Sequence, residues 1–253
     1  MAGWYERAAE RRGRRALERQ LEYQEAKAAS YQSNTNDLAA SNFLRSQVLR
    51  KRLSKYMAID DGSRVLEVGS GPHGLIFGFG AVLGVGIDPL AVDYKRLFPE
   101  LQRRAFTVAA IGEELPFADK SFDVVLSDNV IDHATRPLAI VDELVRALRP
   151  GGLLYFTVNV HHPIYELASK AHGAWNAVGI RLELSAFADH TVHLTEAKIG
   201  SYFEKFPIEM LERSSTVEAT ASALKQNAAW NADALTKKMF YKNALFELIA
   251  RKA

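Results

Sequence analysis

Glu67, Gly69, Gly71 and Gly74 form the pattern E-x-G-x-G-x-x-G, where the apolar run Arg64-Val65-Leu66 gives way to Val68-Gly69-Ser70-Gly71-Pro72-His73-Gly74. A buried strand that breaks into glycines lets backbone pass close to a ligand. Taken alone the loop decides little, because many nucleotide folds and chance turns share it. A second apolar segment, Gly84-Val85-Gly86-Ile87, ends in Asp88. That places a carboxylate about 20 residues beyond Gly69, where it would meet ribose hydroxyls. Loop and carboxylate together read as a nucleoside site; the competing reading is a turn whose glycines serve strand packing only. All seven histidines (His73, His133, His161, His162, His172, His190, His193) fall between the first strand and a helix near the end of the chain. Imidazole titrates near neutrality and suits proton transfer, so these positions are the other candidates for chemistry.

The elements that must hold these residues follow from periodicity. Strands are predicted at Arg64–Val68, Val85–Ile87, Phe106–Ala109, Phe122–Ser127 and Leu153–Val158. Between them, Pro89 opens a helix through Leu97. Thr135 caps another, with Pro137 in its first turn, Leu138, Val141, Leu144, Val145 and Leu148 along it, and Pro150-Gly151-Gly152 as its stop. Strands alternating with helices indicate a parallel sheet covered on both faces. The tail reads as a helix at Thr195–Phe206, a strand at Ile208–Glu212, an inserted helix from Val217 to Lys238 and a closing strand at Ala244–Ala250. Ahead of the first strand, Trp4 to Ser30 is an Arg/Glu/Ala-rich surface helix or arm, thin in apolar residues (Leu17, Leu21, Tyr23). A second helix opens in the cap cluster Ser33–Asp37 and carries Leu44, Val48, Leu49, Leu53 and Tyr56 at helical spacing, a face it is expected to bury.

Composition narrows the classes. With 253 residues and 48% hydrophobic content, the chain can bury a full core. Its 32 basic and 30 acidic residues balance to +2, which argues against a dedicated nucleic-acid binder. The absence of cysteine removes disulfides, thiolate metal sites and thiol nucleophiles. The first residues run straight into charge and no apolar stretch approaches membrane-spanning length, so the expectation is a cytoplasmic protein without a membrane partner.

Four motifs in order make a specific resemblance. Val65–Gly74, Gly86-Ile87-Asp88, Glu113-Glu114-Leu115-Pro116-Phe117 with Ser121-Phe122-Asp123-Val124-Val125, and Leu148-Arg149-Pro150-Gly151-Gly152 look like the successive motifs of class I S-adenosylmethionine-dependent methyltransferases. The branch with the LPF…SFDVV signature, which acts on small molecules, is the most similar. The resemblance is tight from roughly Asp60 to Val158 and rests on strand order beyond. It implies a doubly wound, mostly parallel seven-stranded α/β sheet with an antiparallel last strand, a Rossmann-like domain over residues 59–253, and an N-terminal helical arm and lid over 1–58. A lid or substrate insert would span about 163–194 and a helical insert about 217–240.

The same resemblance implies roles. Gly69, Ser70 and Gly71 would pass under the methionine part of S-adenosyl-L-methionine, with Gly74 completing the loop. Glu67 would hold loop amides or the cofactor amine, and Asp88 would accept the ribose hydroxyls beside Pro89. Family members often carry Asp four residues before the Leu of LPF; here Ile111 stands there, so adenine recognition would pass to Gly112 and Glu113. Asp128 and Asn129 close the cofactor set. Leu75–Gly80 carries two internal glycines, so the helix usual after the loop is shortened or replaced by a turn.

His133 matches a general base of some related O-methyltransferases, against ligand contact alone or a purely structural helix-start role. His161 would face the acceptor, while His162 could cap the helix begun by Pro163. His162, Tyr165, Trp175, His190 and His193 are candidate acceptor contacts, each with a structural role as the alternative. Asp128, His161 and His162 suggest a metal, but the acidic residues that metal-dependent relatives use after strand five are missing, so none is expected. The favoured reading is methyl transfer to an oxygen of a small molecule, a secondary metabolite or sugar, leaving S-adenosyl-L-homocysteine. The alternatives are an RNA or protein methyltransferase using the Arg-rich arm, and a non-catalytic cofactor-binding scaffold. The N-terminal helices are a candidate homodimer surface.

Overall fold

The computed structural model describes residues 15, 17–29, 35–80, 82–165, 193–226, 241 and 243–253. Its centre is a seven-stranded sheet in the order β3-β2-β1-β4-β5-β7-β6. The strands are β1 (Arg64–Val68), β2 (Leu83–Ile87), β3 (Phe106–Val108), β4 (Phe122–Asp128), β5 (Leu148–Val160), β6 (Ile208–Ser215) and β7 (Ala244–Lys252), and the helices ahead of β3 are α1 (residues 17–29), α2 (Thr35–Leu53), α3 (Ala91–Leu97) and α4 (Pro99–Gln102). β1 to β5 run parallel, and β7 enters antiparallel between β5 and β6. Strand order reverses at β1, between β2 and β4, which opens a crevice at the carboxyl ends of these strands. None of the described helices is long and apolar enough to cross a membrane.

Alternation along the strands separates two cores. On one face Leu66, Val68, Val125, Leu154 and Phe156 pack against Ile140, Val141 and Leu144 of α5 (Pro137–Ala147) and Phe203 of α6 (Glu196–Phe203). On the other, Val65, Val124, Leu126, Leu153, Tyr155 and Ile249 meet α2 (Thr35–Leu53) and a single 3-10 turn, Leu75–Gly78. That turn is all that follows the glycine loop where a helix is usual, so α2 supplies the missing cover. Gln47 of α2 donates to the Gly78 carbonyl, and Arg50 donates to those of Phe79 and Ile59, both at 2.9 Å. A helix from elsewhere in the chain thus satisfies the turn's carboxyl end.

Three sequence expectations need correction. α2 buries Leu49 and Leu53, but Leu44 and Val48 stay exposed. The sheet beneath α2 is partly polar. Arg45 pairs with Asp128, and Arg52 reaches Glu212 at 2.5 Å and Glu247 at 2.7 Å. Arg45, Leu49, Arg52 and Leu53 share one helical stripe, so ion pairing as well as apolar burial sets the helix's rotation. Second, Pro150-Gly151-Gly152 lies inside β5 instead of terminating a helix. α5 ends at Ala147, and Gly151 takes φ +73° at an irregularity between the first β5 residue and Leu153. Third, the later strands run longer than expected, β6 to Ser215 and β7 to Lys252, because each gains a full antiparallel partner. The predicted helix from Val217 is present as α7 (Val217–Gln226); its continuation lies outside the described residues.

Candidate active site

Glu67 shares the α2 face of β1 and is 1% exposed. Its Oε1 accepts the Leu75 amide at 3.0 Å and its Oε2 the Ile76 amide at 2.8 Å. These are the first amides of the 3-10 turn, which intrahelical bonding leaves unpaired. Burial pushes the Glu67 carboxyl from 4.5 up to about 8, with the two amides opposing. A Cβ at Gly74 would run into Glu67 Oε2 and the Ser70 carbonyl, so only glycine lets the chain fold back over the carboxyl. Of the two roles expected for Glu67, the structure shows the holding of loop amides.

The loop closes on β2, the Gly69 and Ser70 amides donating to the Ile87 carbonyl at 2.8 and 2.9 Å. Gly69 sits at φ +72°, and a side chain there would strike Val130 from the turn after β4. Asp88, at the tip of β2, accepts the Gly71 amide on Oδ2 at 3.1 Å and the Leu90 amide on Oδ1 at 2.9 Å. Each oxygen keeps a further acceptor site. Burial raises its carboxyl above the ordinary aspartate range, against these two bonds. Asp88 and Pro89 border a cleft enclosing about 1000 Å³ of space, open mouth included. Gly69, Gly71 and Val68 form its floor, Ala110, Gly112 and Ile140 one wall, and Asn129, Val130 and His133 another.

Glu113 reaches this cleft but is already engaged, its Oε1 accepting the amides of Thr135 and Arg136 at 3.1 and 3.2 Å. The start of α5 is therefore served by a carboxylate from a different loop. No Thr135 cap is made there; Arg136 occupies the N-cap position and Pro137 follows it. The reason is reach: a favourable acidic group at the amino end of the helix arrives through space.

Asp128 is bound on both sides. It is ion-paired to Arg45, and its Oδ1 accepts the Thr157 hydroxyl at 2.7 Å. The Thr157 hydroxyl in turn accepts the Asn129 amide at 2.9 Å. Asn129 takes φ +56°, and its side-chain oxygen accepts the Asn159 amide at 3.0 Å. This left-handed residue, uncommon outside glycine, turns the chain from β4 into the cleft wall. His133 follows in a short 3-10 turn with its side chain 53% exposed and Nε2 3.8 Å from the buried Asp132 carboxylate.

The comparisons with known proteins bear on this arrangement. Residues 66–156 match the family model described as "Methyltransferase domain". The matched stretch runs from β1 through most of β5, so the glycine loop and Asp88 lie in a segment similar to a methyltransferase domain. An uncharacterized methyltransferase of Mycolicibacterium vanbaalenii is 39% identical over 102 residues, covering 39% of this chain and 40% of that relative. The match thus spans well under half of the relative's length. Among solved structures, a candidate methyltransferase of Bacillus halodurans superposes with a TM-score of 0.56 at 16% identity, covering 80% of this chain and 98% of its own. Phosphoethanolamine N-methyltransferase 2 of Haemonchus contortus, solved with phosphomonomethylethanolamine and S-adenosylhomocysteine, superposes at 0.52 and 17% identity, covering 81% and 52%. At these identities the likeness is one of fold.

Within this fold the expected residues divide into three groups. Gly69, Gly71, Asp88, Pro89, Gly112, Glu113, Asn129 and His133 line one cleft. Glu67, Gly74 and Asp128 stand behind it as supports of the loop and turn; Ser70 is buried beside Gly86. The remaining candidates among the described residues gather at the end of β5. There the rings of His161 and His193, both buried, meet edge to face at 4.8 Å, with Tyr165 6.2 Å from His161 and 5.9 Å from His193. The Asn243 amide donates to His161 Nδ1 at 3.3 Å. His162 Nδ1 accepts the Ile164 amide at 3.2 Å, at the helical turn begun by Pro163. Trp175 and His190 lie outside the described residues. Sequence reasoning missed Leu17, Gln20, Leu90 and Tyr94 on the cleft and Arg45 behind it. None belongs to a motif, and the N-terminal ones reach the site only through packing.

Proposed function

We propose that this chain is an S-adenosylmethionine-dependent methyltransferase that methylates an oxygen of a small molecule. The observation that carries the reading is Asp88, held by two loop amides at the rim of a glycine-floored cleft inside a segment similar to a methyltransferase domain. The residues present fit the cofactor. The loop leaves no room for side chains at Gly69 and Gly74, and the cleft sets the Asp88 carboxylate beside apolar Val68, Leu90, Ala110 and Ile140, as a ribose and its base require.

When bound, the cofactor supplies an electrophilic methyl group on a sulfonium. Asp88 would hold the ribose hydroxyls, the Gly69–Gly71 backbone the amino-acid arm, and Gly112 with Ile140 the base. The chain's own contribution is placement and exclusion of water. His133, which lines the cleft beside Asn129 and Val130, would take the hydroxyl proton of the acceptor as the methyl arrives. His161, His193 and Tyr165 would border the acceptor from the β5 side.

Calorimetric titration of the full chain with S-adenosylhomocysteine should show one binding site; no binding refutes the cofactor assignment. With labelled S-adenosylmethionine and a panel of hydroxylated small molecules, His133→Ala should lose transfer by about 10²–10⁴-fold. Its affinity for S-adenosylhomocysteine should stay within twofold of wild type. Full activity in that variant rejects the base role.

A further inference from the structure

The N-terminal helix α1 (residues 17–29) lies against the cofactor cleft, although no motif predicts it there. Leu21 and Ala28 pack on the cluster formed by Leu90, Tyr94, Phe98 and Leu101. Gln20 stands beside Tyr94 on the cleft, and Glu25 meets Arg96 at 3.0 Å. Further along, Lys27 lies close enough to His73 of the glycine loop for its charge, second to burial, to help lower that imidazole to about 4. The helix therefore packs on the segment after Asp88 and brings a positive charge near the loop that precedes it.

Two of its residues do more than pack. Leu17 and Gln20 line the same cleft as Asp88, Gly71 and Gly112, on the side contributed by neither strand ends nor α5. Leu17 keeps 36% of its surface exposed there, an apolar group that a ligand's base or ribose would cover. Behind them Gln24 is buried, and its carboxamide oxygen has no hydrogen-bond partner among the described residues. The Glu25–Arg96 pair is solvent-exposed and worth little by itself. Among the described residues, the apolar contacts that hold α1 in place without a ligand are chiefly those of Leu21 and Ala28 on the Tyr94 cluster.

We infer that α1 is the closing wall of the nucleoside pocket, with Leu17 and Gln20 contacting the adenosine part of the cofactor, so that cofactor binding and α1 docking stabilise each other. The inference rests on the cofactor reading above. Coupling follows because a ligand that touches the docked helix binds the docked state better and shifts the population toward it. It also means that the product leaves only when α1 lifts, which makes exchange of the nucleoside slower than its encounter.

Two measurements on the full chain test this, both with S-adenosylhomocysteine as probe. Amide hydrogen exchange across residues 17–29 should slow at least tenfold at saturation, and this needs no variant. Calorimetry should show Leu17→Ser combined with Gln20→Ala weakening the affinity at least fivefold. Unchanged exchange in α1, or an unchanged affinity in the double variant, overturns the wall while leaving the cofactor reading intact. Failure of the wild-type chain to bind overturns both.

Discussion

Glu67→Leu should cost the native state about 2–5 kcal/mol, read from urea unfolding of the full chain, because it strands two buried amides at about 1–3 kcal/mol each. The Leu75 and Ile76 amides have no intrahelical acceptor, and Glu67 alone of the side chains near them accepts both. Leucine nearly conserves volume, so the loss reports hydrogen bonding more than a cavity. A wild-type midpoint in that variant would show that the turn re-pairs its amides elsewhere.

The same residue sets a pH dependence. Its folded carboxyl titrates near 8, above its ordinary 4.5. A group whose pKa is raised on folding gives stability that is complete below the unfolded value and lost as pH rises through the folded one. Stability from Glu67 therefore declines between about pH 4.5 and 8. His73 works the other way, being lowered to about 4 by burial and by Lys27, so its contribution is lost as pH falls below its ordinary 6.5. Between pH 6.5 and 8 the Glu67 loss stands clear of it. Urea midpoints of wild type and Glu67→Gln, compared from pH 6.5 to 9, should differ in slope, with the glutamine variant flatter. Parallel curves reject a proton held by Glu67.

Asp88→Ala should weaken S-adenosylhomocysteine binding at least tenfold by calorimetry, about 1.4 kcal/mol. The change removes two things together. The ribose loses its acceptor, and the Gly71 and Leu90 amides lose the carboxylate that fixes the loop against β2. Asp88→Asn separates them, since its amide oxygen still accepts one hydrogen bond while its NH₂ opposes the other amide. Asparagine should fall between wild type and alanine. Equal affinities for all three would sink the cofactor assignment of this carboxylate.

Much of the fold was legible because it is written in local patterns. Val65, Leu66 and Val68 with the glycines behind them specify a buried strand and a tight turn whatever surrounds them. The glycine-broken Leu75–Gly80 likewise announced that no full helix could follow. The rotation of α2 was not legible, since Leu44 and Val48 look as apolar as Leu49 and Leu53. The choice between the two stripes was made by Asp128, Glu212 and Glu247 across the sheet face. Glu113 is a similar case. Nothing in its neighbourhood marks it as the group that receives the first amides before α5, because its partners are more than twenty residues further along the chain.

The sequence by itself determined that a glycine loop and Asp88 share one sheet edge, since strand spacing and turn residues are short-range properties. It also determined which histidines stand after the strands. Only the tertiary structure decided that Glu67 supports the turn from behind and that Asp128 is bound by Arg45 and Thr157. It alone put His133 on the cleft beside Asp88, grouped His161 with His193 and Tyr165 at the end of β5, and brought α1 to the cleft. Those relations are contacts between segments far apart in the chain. They arise from which face each side chain presents once the sheet is closed, and no local periodicity encodes that.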